Sequence, residues 1–249
     1  MTGAMVFAVS TLGCPGLPLD RVAALLHRHG VDAVQLRCAA DEPVHAGISP
    51  AARRAARRLL ADEGLRLIGL ATYVKLSEGA SDLPAHLELA HDLGAPALRL
   101  MPGTGEPAAA AAALAGGLRL ADGGGVRLLV ETHDAYLRGT DLRRILEGAP
   151  GAGAIWDALH PWRAGESPAE TAAALRPWLA EVQIKDVASA TDRTPLVPGA
   201  GTVPLRAVLA EAGDVPIVLE HEARWYPDAA PIDDAIAGAV ALLRSPARP

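Results

Sequence analysis

The chain of 249 residues has no asparagine, two glutamines (Gln35 and Gln183), two lysines (Lys75 and Lys185) and one phenylalanine. Aromatic residues make up only 3% of it, and the two cysteines, Cys14 and Cys38, stand alone. So few cysteines exclude a disulfide framework and any cysteine-rich zinc module. A formal net charge of −6 excludes a broad basic face able to release counterions from nucleic-acid phosphates. No apolar stretch reaches the length of about 18 residues that a membrane span needs without meeting a charge. The apolar start from Met1 to Gly16 has no basic residue ahead of it, unlike a secretory leader. A soluble, cytoplasmic protein is expected, with no nucleic-acid and no membrane partner.

Half of the residues are hydrophobic, enough to bury a large core within one domain. Alanine supplies roughly a fifth of the chain, far above ordinary usage, and arginine supplies nearly every basic residue. Such drift is typical of a GC-rich genome, so the few lysines and glutamines become conspicuous. Short β-prone runs alternate with helical stretches throughout. Candidate strands are Val6–Ser10, Ala33–Arg37, Leu65–Thr72, Ala97–Met101, Arg127–Glu131, Ala154–Asp157, Glu181–Lys185 and Ile217–Glu220. Apolar residues at three-and-four spacing predict helices over Leu19–His29, Pro50–Glu63, Leu83–Leu93, Pro107–Ala121, Asp141–Glu147, Pro168–Leu179, Leu205–Ala212 and Ile232–Arg244. Eight βα units with no linker predict an α/β fold, a single (β/α)8 TIM barrel over residues 1–249. A doubly wound open sheet would want a glycine fingerprint after the first strand, and Thr11-Leu12-Gly13-Cys14-Pro15-Gly16 has none.

In a barrel of this kind the chemistry belongs at the carboxyl ends of the strands. The fifth to eighth candidate strands reach their first polar residues at Glu131, Asp157, Gln183 and Glu220, spaced 26, 26 and 37 residues apart. Period-2 alternation points all four into the barrel. Three carboxylates converging there would raise one another's pKa values unless a positive charge lay between them. A divalent cation resolves this, and an oxygen-only set with a glutamine amide suits Mg²⁺ or Mn²⁺ better than Zn²⁺. The competing reading pairs each acid with an arginine or a helix N-terminus. Lys185, two residues beyond Gln183, faces the same mouth and is a catalytic candidate. Lys75, after the third strand, is either functional or a chance survivor. Arg37, Arg99 and Arg224 either bind an anionic substrate group or pair with the acids.

These residues resemble the xylose isomerase-like TIM barrels, the sugar phosphate isomerase/epimerase group. Val130-Glu131-Thr132-His133 resembles the family's strand-5 Glu-Asn-His. Trp156-Asp157-Ala158-Leu159-His160 resembles its Asp-x-x-His, and Gln183-Ile184-Lys185-Asp186 its His-x-Lys-Asp. Pro198-Gly199-Ala200-Gly201, Leu219-Glu220-His221-Glu222 and Val34-Gln35-Leu36-Arg37 match its later and earlier elements. The resemblance implies a divalent metal held by Glu131, Asp157, Gln183 and Glu220, with the two glutamates moving the substrate proton. It also implies that His160 contacts substrate oxygens; His133, Arg37, Gln35 and Tyr73 are further candidate substrate-binding residues. Gln183 stands where the family has a ligating histidine, and Gln35 where it has a glutamate. With eight histidines in the chain, that loss is an alteration of the site rather than drift.

The expected activity is a metal-dependent sugar or sugar-phosphate isomerase or epimerase working through an enediolate. The alternatives are a dehydratase of a cyclic keto-polyol and a metal-free, non-catalytic relative. An abasic-site endonuclease of the same fold would want several metal-binding histidines and a basic face. The expected partner is a small sugar or polyol, and a homodimer is left open. Gly123-Gly124-Gly125 precedes a strand and is a turn, not a phosphate loop.

Overall fold

Runs of branched and apolar residues that break at glycine, proline or a charge give short strands, and the three-and-four stripes between them give helices. The computed structural model describes residues 5–245. The first half holds β1 (Phe7–Ser10), α1 (Leu19–Arg28), β2 (Ala33–Arg37), α2 (Pro50–Asp62), β3 (Arg66–Lys75), α3 (Leu83–Leu93), β4 (Ala97–Met101) and α4 (Pro107–Ala121). The second half holds β5 (Arg127–Glu131), α5 (Gly139–Leu146), β6 (Gly153–Asp157), α6 (Leu159–Arg163), α7 (Pro168–Leu175) and β7 (Leu179–Ile184). It continues with β8 (Asp186–Val187), β9 (Pro195–Leu196), α8 (Leu205–Glu211), β10 (Ile217–Leu219) and α9 (Ile232–Arg244). Eight parallel strands close in the order β1-β10-β7-β6-β5-β4-β3-β2, a (β/α)8 TIM barrel. The two short strands β8 and β9 form a separate antiparallel ribbon after β7. No helix among the described residues is long and apolar enough to cross a membrane.

All eight expected strands lie in the barrel; Ala33–Arg37, Ala97–Met101 and Arg127–Glu131 keep the expected ends and the others are shifted. Helix α7 stops at Leu175 rather than Leu179, because Pro177 has no N–H to continue the ladder; the freed residues start β7. β3 runs on to Lys75 through an irregularity in its pairing with β4. The ribbon and α6 were not expected; segments this short leave no periodic signal.

The outer faces of the strands pack against the helices through buried Leu36, Leu70, Leu98, Leu128 and Trp156. The inner faces stack in layers. Ala8, Ala33, Ile68 and Val218 form one small apolar cluster, and Ala97, Leu129, Ile155 and Ala180 another. Two residues further along the same strands stand Ser10, Gln35, Arg99, Glu131, Asp157 and Glu220, on the same face by strand periodicity. The pairing of β6 with β7 skips Ala180, since Ala154 pairs with Leu179 and Ile155 with Glu181. That irregularity turns Glu181 inward along with Gln183. The barrel therefore has a small-residue apolar floor beneath a charged layer.

Candidate active site

The charged layer is held by two cations. Arg99 on β4 donates through Nη1 to Glu131 Oε2 at 2.9 Å and to Glu220 Oε1 at 3.1 Å, joining opposite sides of the barrel. Its Nη2 is anchored on the Thr72 carbonyl at 3.0 Å. Lys185 lies 2.8 Å from Asp157 Oδ2 and 2.6 Å from Glu222 Oε1, and also donates to Glu220 Oε2. All of these side chains except Glu222 are buried. The pairing reading of the acids thus holds in part: four carboxylates face two cations, so the mouth stays net negative. Carboxylate oxygens of Glu131, Asp157 and Glu220 lie within 4.8 Å of one another.

Burial and neighbouring Glu220 push Glu131 up to about 7 against the pull of Arg99. Burial works on Asp157 as well, but Lys185 and His160 beside it hold it near 2. The same fold thus splits two neighbouring acids into one that exchanges its proton near neutrality and one that stays ionised. Burial opposes the charge on Lys185, yet Asp157, Glu220 and Glu222 keep it firmly protonated.

Both glutamines converge on one carboxylate oxygen. Gln35 and Gln183 donate to Glu181 Oε1 at 2.8 and 3.2 Å. Burial raises Glu181 to about 7, with these two donors opposing the rise. Because the Gln183 amide nitrogen is committed to Glu181, its carbonyl oxygen is the end left over. Gln183 Oε1 and Glu131 Oε1 have no hydrogen-bond partner among the described residues, whereas Asp157 Oδ2 faces Lys185 at 2.8 Å and His160 at 3.5 Å. Buried acceptors without donors are rare, and two such oxygens beside the Asp157 carboxylate fit a hard divalent cation.

Two histidines complete the wall beside Glu131. His160 on α6 is buried, with Nε2 at 3.5 Å from Asp157 Oδ2 and neither ring nitrogen hydrogen-bonded among the described residues. His133 stands edge-on to it, ring centroids 4.8 Å apart. His133 Nδ1 meets Asp134 Oδ1 at 2.9 Å, and the Gly103 N–H donates to Asp134 Oδ2 at 2.9 Å. Asp134 reaches both from a left-handed backbone, φ +52°, a conformation uncommon outside glycine.

Arg37 lies in the same mouth but in a different network. It donates to Asp41 at 3.0 Å, to Glu42 and to the Tyr73 hydroxyl at 2.8 Å. Tyr73 sits between Arg37 and Arg99, their guanidinium carbons 5.2 and 5.3 Å from its ring centre. Lys75 pairs with exposed Glu78 at 3.1 Å, away from these acids. Below the mouth, Asp186 accepts from the backbone N–H groups of Val187, Gly199, Gly201 and Val203. A Cβ on Gly201 would run into that carboxylate, so glycine is required there.

Sequence reasoning brought Glu131, Asp157, Gln183 and Glu220 to one level by period-2 alternation, with Lys185 two residues further along facing the same mouth, and in the structure these five side chains are buried together. It did not single out Glu181, although the same alternation from Gln183 marks it. Glu222 sits two residues past Glu220 and carries the same signal. Asp134 had no signal, because its role depends on a loop conformation.

A family model described as the xylose isomerase-like TIM barrel matches residues 23–245. No curated protein matches the chain in sequence. Among solved structures, the probable 3-DHS dehydratase AsbF of Bacillus anthracis, involved in petrobactin synthesis, is similar at 17% identity and TM-score 0.79, covering 97% of this chain and 100% of its own. A xylose isomerase domain containing protein of Salmonella typhimurium is similar at 16% identity and TM-score 0.78, covering 98% and 99%. D-allulose 3-epimerase from Methylomonas sp. is similar at 16% identity and TM-score 0.77, covering 96% and 97%. With the barrel closed and the family match running over nearly all of it, the chain belongs to the xylose isomerase-like TIM barrel family.

Proposed function

We propose that the chain is a divalent-metal-dependent isomerase or epimerase of a small sugar, sugar phosphate or polyol. One observation carries this: buried Glu131, Asp157 and Glu220 converge within 4.8 Å with only Arg99 and Lys185 to offset them. Glu131, Asp157, Gln183 and Glu220 would hold the cation, Mg²⁺ or Mn²⁺ by their oxygen donors. Bound there, such a cation would supply Lewis-acid chemistry, polarising a substrate carbonyl and offsetting the negative charge that builds when the adjacent proton leaves. Glu131, titrating near neutrality, takes the proton from the carbon beside the carbonyl, and Glu220 serves the opposite face. Arg99 holds both glutamates through Nη1 while Nη2 anchors it on the Thr72 carbonyl. His160 and His133 line the mouth for substrate hydroxyls, and Lys185 keeps Asp157 ionised and ties it to Glu220 and Glu222.

A dehydratase of a cyclic keto-polyol is the second reading, and Glu131 favours it too. Before a cation binds, burial pushes this carboxyl up to about 7, a range from which one group can serve as base and as acid in turn. The fold likeness to the Bacillus anthracis dehydratase is compatible with that chemistry. The test is solvent-deuterium exchange with Mn²⁺-loaded protein over ketoses and inososes. Deuterium at the α-carbon with recovered or isomerised carbohydrate supports the first reading, and deuterium with loss of water the second. No wash-in with any of them overturns both and leaves a non-catalytic relative.

A further inference from the structure

We propose that the mouth offers a second cation position, built from Glu131, His133 and His160, which takes borderline metals such as Co²⁺ or Zn²⁺ and excludes the oxygen-bound one. This rests on the reading of the mouth as a metal site and goes beyond its ligand set. One donor atom from each of the three residues lies within 4.8 Å of the other two. Donors around a tetrahedral zinc-sized ion stand about 3.3 Å apart, given metal–nitrogen bonds near 2.0 Å, so a closure on the order of 1 Å assembles the set. The donors are ready: Glu131 Oε1 and both ring nitrogens of His160 have no hydrogen-bond partner among the described residues.

His133 is prepared from behind. Its Nδ1 is tied to Asp134, which leaves Nε2 for coordination, and Asp134 is itself fixed by the Gly103 N–H. A carboxylate behind a ligating imidazole is the usual support of a metal histidine, fixing its tautomer and raising its basicity. The left-handed backbone of Asp134 follows from the double contact. Two imidazoles and one carboxylate are a borderline set, whereas the set of Glu131, Asp157, Gln183 and Glu220 is all oxygen. Both sets need Glu131. Glu131 Oε1 is the oxygen of that carboxylate left without a partner among the described residues, Oε2 accepting from Arg99, so the two positions compete for one donor atom.

The test uses Co²⁺ and Mn²⁺ separately and together on the full chain, with stoichiometry by calorimetry and the hyperfine-shifted imidazole protons of the Co²⁺ form by NMR. Wild-type protein should bind about one equivalent of either ion, with Co²⁺ displacing Mn²⁺. His133→Gln and His160→Gln should each weaken Co²⁺ by about tenfold or more and remove shifted imidazole signals, while Mn²⁺ affinity holds within roughly threefold. Asp134→Asn should weaken Co²⁺ by roughly 10–100-fold, as loss of a carboxylate behind a ligand does. Retained Mn²⁺ binding certifies that each variant is folded. Asp157→Asn should do the reverse, weakening Mn²⁺ and sparing Co²⁺. Unchanged Co²⁺ affinity in both histidine variants, or simultaneous binding of both ions, overturns the second position and leaves the oxygen site standing. Failure of wild-type protein to bind either ion overturns the metal reading of the mouth itself.

Discussion

Two arginine–carboxylate clusters share the barrel mouth. Arg37 takes its acids, Asp41 and Glu42, from the next few residues of its own loop. Glu42 is completed by the Gly16 N–H at 2.9 Å, and no buried side-chain atom of the Arg37–Glu42 pair lacks a partner. Arg99 takes its acids from strands 32 and 121 residues away, and Glu131 Oε1 and Arg99 Nε remain unpartnered among the described residues. The local cluster closes on itself and ties the loops after β1 and β2 to the end of β3. The long-range one leaves acceptors open toward whatever enters the mouth. Charge pairing alone does not separate a strap from a site; the unsatisfied remainder does.

The comparison can be broken first at the Arg99 cluster. Glu131→Gln and Glu220→Gln should each cut α-carbon deuterium exchange by roughly 10²–10⁴-fold, the usual contribution of a positioned acid or base. Thermal denaturation should stay near wild type, and exchange within tenfold of wild type in either variant would remove the two-glutamate mechanism. The Arg37 cluster should respond the other way round. Glu42→Ala leaves a buried guanidinium short of its nearest charge, a loss of about 3–5 kcal/mol in stability, while exchange per folded molecule changes little. Denaturant unfolding measures it, and a loss confined to turnover would make Arg37 a substrate group instead.

Glu181 sharpens the contrast through pH. Its folded pKa of about 7 lies above the ordinary 4.5. The folded state therefore keeps a proton that the unfolded chain releases, and the stability this brings is full below pH 4.5 and lost as pH rises through 7. The shift corresponds to about 3 kcal/mol. Glu181→Gln should accordingly be more stable than wild type at pH 8, and the advantage should vanish by pH 4. A pH-independent difference in urea midpoints would contradict it. The smallest effect is expected at Arg224, which pairs with half-exposed Asp41 at the rim. Arg224→Ala should cost under about 1 kcal/mol, the scale of exposed pairs, and a larger shift in melting temperature would make that rim contact part of the strap.

The barrel was legible because its signal is periodic. Each candidate strand is a short apolar, β-prone run, and three-and-four stripes mark the helices between them. Glu131, Asp157, Gln183 and Glu220 could be aligned for the same reason: a strand repeats every two residues, and units of similar length bring equivalent ends to one height. What stayed hidden depended on partners distant in sequence. Arg99 could be read as substrate-binding or acid-pairing, and only closure of the barrel brings it between Glu131 and Glu220. Glu181 lay on the alternation from Gln183, but its pairing with Gln35 comes from a distant strand, and Asp134 acts through a loop turn that no pattern of hydrophobicity records. Ion pairs and turns are set by approach in space, so they are the last features a linear pattern yields.

Asp186 has a consequence of another kind. A single carboxylate gathers four amides, from Val187 at the ribbon to Val203 at the entrance to α8. The segment between β8 and β9 hangs outside that knot, largely exposed and bonded mainly to itself. Changes of sequence from Ala188 to Thr194 therefore leave all four hydrogen bonds of the knot untouched, and the ribbon tolerates them without losing its anchor on Asp186.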